Sequence, residues 1–146
     1  MKIILITINT PASENLGGTS ALPYHLLVKR PMDVDVVVYS FNYNGLSAEK
    51  IAEVEQELNL RIHLLQKPEN VMRMLHSRWG FVQRFFARYP LYYYTKLADV
   101  EVERIKNENA DGVWIYGEEL SRVSKQFAAY KRVHCFPIAR HYTIGV

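Results

Sequence analysis

The sequence holds a single cysteine, Cys135. Neither an intramolecular disulfide nor a cysteine-rich zinc site can be built from it, and such usage fits a reducing compartment. Long hydrophobic runs are missing as well, since no stretch approaches the ~18 apolar residues of a membrane span. The opening run over residues 3–8 is shorter than most signal-peptide cores, which need roughly 7–15 residues. Its strand-forming composition reads better as a buried first strand of a cytoplasmic protein. Charge of one sign is also scarce. Lys and Arg number 18 against 15 Asp and Glu, a net charge of +3, which gives no argument for nucleic acid. None of His25, His63, His76, His134 and His141 forms a metal-ligand spacing such as H-x-x-x-H, so no metal is expected.

What is present is an alternation of strand and helix signals along 146 residues, enough for one domain with a sizeable core. Residues 2–9 (KIILITIN) are β-branched and apolar without polar alternation, as in a strand covered on both faces. A helix is expected over 20–30, with Pro23 in its first turn where the missing N–H costs little. A strand follows over 33–40 (DVDVVVYS), broken by the Asn44–Gly45 turn. Ser47 reads as the N-cap of a helix with Ile51, Val54 and Leu58 at helical spacing.

Strands are further expected over 60–65, 112–116 and 132–137. Helices are expected over 69–90 in two pieces around Gly80, over 92–107, and over 118–130. The order β-α-β-α-β-α-α-β-α-β implies right-handed crossovers and a parallel sheet with helices on both faces. The fold class is therefore α/β and Rossmann-like. The chain reads as one domain over 1–146, with residues 138–146 following a strand and stopping short of another helix, as if cut from something longer.

In such a sheet, ligands bind beyond the carboxyl ends of the strands. After the first strand a loop of about ten residues, longer than the ~2–6 of an ordinary βα turn, leads to Gly17–Gly18–Thr19 at the start of a helix. A helix start carries free N–H groups that attract phosphate or sugar oxygens. The glycine pair is neither G-x-G-x-x-G nor a phosphate loop with its lysine. It therefore reads either as a flexible turn or as a place where backbone meets a ligand. After the fourth strand, Tyr116–Gly117–Glu118–Glu119 sets carboxylates at a second such position. Glu118 suits either a general base or a plain helix-start charge, and Glu119 reads as the latter.

Between Asn70 and Ala98 lie Arg73, Arg78, Arg84, Arg88 and Lys96 with no acidic residue, interleaved with Trp79, Phe81, Phe85, Phe86, Tyr89 and Tyr92–Tyr94. An apolar helical face with basic flanks at Arg78, Arg84 and Arg88 suits an anionic membrane surface. The preferred reading is plainer: a helix covering a sheet must show an apolar face, so these aromatics are core and the arginines a solvated rim. Stacking on nucleic acid is disfavoured, because the rest of the chain is not basic.

Taken together, KIILITIN…LGGTSALPYHLLVKR, DVDVVVYS, NADGVWIYGEEL and KRVHCFPIA resemble the amino-terminal half of a family 4 glycosyltransferase with the GT-B architecture. The resemblance rests on the Gly-Gly loop opening the first helix and on the Asp-led apolar strand at 111–116. It implies a retaining transfer of a sugar from a nucleotide-sugar donor to an acceptor hydroxyl of polysaccharide or glycolipid type, with no metal or other cofactor. It assigns Gly17, Gly18 and Thr19 to the donor diphosphate or the acceptor, and places Tyr116, Gly117 and Glu118 near the reacting centre. It also implies that a donor-binding carboxyl-terminal domain is missing, that a lipid-linked acceptor would bring the basic aromatic helices to the inner membrane face, and that the 146-residue chain is inactive alone. Many members carry a His where Tyr116–Gly117–Glu118 stands here. Glu49 and Glu57 match the spacing of that family's Glu-x7-Glu motif, but they lie on an expected helix, and the match is taken as coincidence.

The competing class is a non-enzymatic ligand-binding or signalling module. A receiver-like domain needs acidic residues after the first strand and an Asp ending the third, where this chain has Asn9–Thr10 and Gln66–Lys67. A complete nucleotide-binding protein lacks its phosphate-loop lysine and ribose-binding acid.

Overall fold

A computed structural model describes residues 1–13, 18–87, 91–130 and 132–135. The uninterrupted apolar runs become β1 (Lys2–Thr7), β2 (Asp35–Ser40), β3 (Arg61–Leu64), β4 (Gly112–Tyr116) and β5 (Arg132–Cys135). They form one sheet in the order β3-β2-β1-β4-β5, with every neighbouring pair parallel. The helices are α1 (Gly18–Val28), α2 (Ala48–Leu58), α3 (Glu69–His76), α4 (Arg78–Phe86), α5 (Asp99–Lys106) and α6 (Ser121–Gln126). The fold is α/β and Rossmann-like, as the alternation of signals implied. Among the described residues no helix is long and apolar enough to cross a membrane.

Side chains alternate across the sheet with period two. Leu5, Val36, Val38, Ile62 and Tyr116 meet Tyr24 and Leu27 of α1 and Ile51, Val54 and Leu58 of α2. Ile4, Ile6, Val37, Tyr39, Val113 and Ile115 meet Val102 and Ile105 of α5 and Val123 of α6 on the other face. Ile4, Leu5 and Ile6 are fully buried, so the opening run is a central strand. Ser47 caps α2 by accepting from the Lys50 N–H, as its position suggested. Asp111 locks the start of β4 to that of β1. Its carboxylate accepts from the Lys2 N–H at 2.7 Å, and its own N–H donates to the Lys2 carbonyl at 2.9 Å.

Three expectations are corrected. The break in the 69–90 helix falls at Ser77, not Gly80: the Ser77 hydroxyl caps α4 by accepting from the Gly80 N–H at 2.8 Å. The expected helix over 92–107 is a 3-10 turn, Leu91–Tyr94, followed by an extended stretch and then α5. That stretch is held open because the Gln126 side-chain amide exchanges two hydrogen bonds of 3.0 Å with the Leu97 backbone. The helix expected over 118–130 likewise begins as a 3-10 turn, Glu118–Leu120, and α6 ends at Gln126.

The aromatics of α4 are the fourth and largest departure. Trp79, Phe81, Val82, Phe85 and Phe86 are exposed, and Gly80 is the one residue of α4 that is buried. One face of the sheet is covered by α1 and α2 and the other by α5 and α6, which leaves α4 no sheet to cover.

Candidate functional site

The chain steps outward from β1 to β2 to β3, then returns to the other side of β1 for β4 and β5. The direction reverses between β1 and β4, and the helices that follow these strands pack on opposite faces. A crevice at such a reversal is where open parallel sheets bind ligands. Thr7, the last residue of β1, pairs with Tyr116, the last of β4. The two segments singled out in the sequence leave the sheet from these ends.

They are joined directly. The Tyr116 hydroxyl donates to the Gly18 carbonyl at 3.1 Å, tying the end of β4 to the first turn of α1. The Tyr116 side chain is fully buried and offers the crevice no side-chain surface. Gly18 is exposed, and a Cβ added there would meet nothing within 4 Å. Among the described residues no packing demands a glycine at that position. The Thr19 hydroxyl accepts from the Asn9 side-chain amide at 2.7 Å, so α1 is also tied to the loop that precedes it. Gly17 lies outside the described residues, as does Arg88.

On the β4 side, Gly117 has φ +117°, a conformation L side chains rarely adopt. A Cβ there would also stand 2.8 Å from the Glu119 Oε2. The turn it begins holds Glu118 at the surface. The Glu118 carboxylate accepts the Tyr93 hydroxyl and pushes that phenol up to about 12, burial adding to the effect. Glu119 stands in the same first turn, the helix-start position expected of it, with one carboxylate oxygen tucked inward. Its Oε2 is buried beneath Gly117 with no hydrogen-bond partner among the described residues. Nothing in the pair Glu118–Glu119 distinguishes the exposed carboxylate from the tucked one, because a 3-10 turn decides it.

On the other side of β1, a polar cluster went unread in the sequence. Asn44 accepts from the Thr10 N–H and donates to the Thr10 carbonyl, both at 2.9 Å. The Thr10 hydroxyl meets the Ser40 and Asn42 side chains at 3.0 Å, and the Ser20 hydroxyl donates to the Thr10 carbonyl at 2.7 Å. These groups spend their hydrogen bonds on each other, so the cluster pins the long loop after β1 to the one after β2. The signal for it was the run of Thr, Ser and Asn at strand ends, but only the sheet order brings them together.

Among the described residues no three His, Cys, Asp or Glu side chains are grouped to hold a metal ion. Comparison of the chain with protein-family models, with curated proteins and with solved structures finds no match.

Proposed function

We propose that this chain is the amino-terminal, acceptor-side domain of a family 4 glycosyltransferase of the GT-B architecture, working at the cytoplasmic side of the cell. The observation that carries this reading is the Tyr116–Gly18 hydrogen bond across the strand-order reversal. The two motifs behind the resemblance, the glycine loop and the Asp-led strand, thereby meet at one crevice with open space beside Gly18. The first-turn N–H groups of α1 are donors for acceptor hydroxyls or for the donor's diphosphate.

Glu118 is the candidate base. A carboxylate has about four lone-pair sites, so accepting from Tyr93 leaves capacity for a sugar hydroxyl. Donor binding falls to a second domain, and the 146 residues alone bind without turnover.

Gly18→Val tests this reading, because a Cβ at that position meets nothing within 4 Å among the described residues. Amide NMR titration of the chain with nucleotide sugars and with mono- and oligosaccharide acceptors is expected to shift Gly18, Thr19, Gly117 and Glu118. The valine variant is expected to lose at least tenfold in affinity with an unchanged melting temperature. Absence of shifts with every ligand, or shifts indifferent to the valine, would overturn the reading. Binding by a full-length gene product that transfers no sugar would return the crevice to a non-enzymatic module.

A further inference from the structure

We propose that α4 is a bilayer-docking helix that seats the carboxyl edge of the sheet on an anionic lipid surface. In α4, Trp79 is 78% exposed, Phe81 60%, Phe85 81% and Phe86 84%, with Val82 beside them. At about 100° per residue these five side chains sweep roughly a 160° arc, and Gly80 lies opposite its centre. Gly80 faces the body: a Cβ there would stand 2.2 Å from the Met74 carbonyl oxygen of α3. The helix is thus clasped by its one small residue and presents its apolar arc outward. Given what aromatic side chains bury, the arc amounts to something on the order of 500–700 Å², at or above the largest patch a monomeric soluble protein usually shows.

The surroundings choose the occupant. No Asp or Glu occurs from Asn70 to Ala98. Arg73, His76, Arg78 and Arg84 are exposed and form no ion pair among the described residues. The Arg84 guanidinium lies over the Phe81 ring at 5.6 Å, so charge and apolar surface present together. By the same count Arg78 falls within the arc and Arg84 about 60° beyond its edge, so a second copy docked arc to arc would set like charges against each other. Anionic headgroups complement these charges while Trp and Phe enter the interfacial layer.

Position adds a consequence. α3 leaves the carboxyl end of β3, and the turn Leu91–Tyr94 returns against the turn Glu118–Leu120 after β4. The whole excursion therefore rides on the rim of the crevice, and docking would open that crevice at headgroup level. The docking proposal does not depend on the crevice binding a sugar.

The experiment is vesicle flotation of the 146-residue chain with phosphatidylcholine vesicles, with and without phosphatidylglycerol. The chain has two tryptophans, so Trp114→Phe leaves Trp79 as the reporter. Flotation with the anionic vesicles, a blue shift of Trp79 emission and reversal by salt are expected. Phe85→Glu/Phe86→Glu is expected to weaken binding at least tenfold with an unchanged circular-dichroism melt, since both rings face solvent. Arg78→Glu/Arg84→Glu is expected to abolish the preference for phosphatidylglycerol. The proposal is overturned if the wild type fails to float on anionic vesicles, if it floats equally on neutral ones, or if the Phe→Glu variant floats as well. It is equally overturned if sedimentation shows a dimer that the Phe→Glu variant breaks while no vesicle binds, which would give the face to a second copy.

Discussion

The loops after β1 and β2 and the excursion after β3 leave the same edge of one sheet and are held in opposite ways. The two loops are irregular, so their backbone groups need partners that no helix supplies. Asn44, Ser20 and Thr10 provide them, and the side chains are consumed in doing so. In α4 the helix satisfies its own backbone, Ser77 caps it, and Gly80 packs it closely against α3. Its side chains remain free for something outside the chain. An irregular segment spends its polar groups inward, whereas a helical one standing off the body keeps its surface for a partner.

The largest effect is expected where the loops are tied. Asn44→Ala strips the Thr10 N–H of its acceptor and leaves the Thr10 carbonyl with the Ser20 hydroxyl alone, and should cost about 1–3 kcal/mol by urea unfolding. A loss under ~1 kcal/mol would mean that water replaces the amide and that the contrast between the two regions is shallow. Gly80→Ala comes next. The methyl meets main chain that cannot turn aside, so a loss on the order of 1–3 kcal/mol is expected, as for other overpacked sites. It should come with faster proteolysis near Ser77 as α4 is levered off α3; an unchanged protease pattern would show that α4 is not held by this clasp.

The smallest effect lies where the excursion rejoins the edge, at Tyr93 and Glu118. Because the folded pKa of Tyr93 is about 12 against an ordinary 10.0, its contribution is present below pH 10 and is lost as pH rises toward 12. Glu118→Gln removes the charge and the strong acceptor. Tyrosinate absorbance should then show one phenol titrating earlier, and the alkaline stability curve should flatten between those limits. An unshifted titration would separate the excursion from the crevice rim.

Much of the fold was legible in residue order. The apolar runs at β1, β2 and β4, the Ser47 cap and the spacing of Ile51, Val54 and Leu58 are local patterns with local causes. Their alternation implies the parallel sheet, because a crossover helix between strands leaves little choice of handedness. The site was legible only as positions along the chain. Gly18, Gly117 and Glu118 were placed after strand ends, but not that Tyr116 would turn inward and bond Gly18, nor that Glu119 would tuck under Gly117.

The aromatics of α4 mark the limit most sharply. A helical pattern of Trp, Val and Phe is the same string whether it faces a sheet or solvent, so periodicity alone favoured the core. By itself the sequence determined the five strands, their alternation with helices and the basic, acid-free composition of residues 70–98. Only the tertiary structure decided that α5 and α6 cover the sheet, that Gly80 clasps α3, and that the apolar arc of α4 is left outside. Burial is a property of competition for one surface, and no segment carries a record of its competitors.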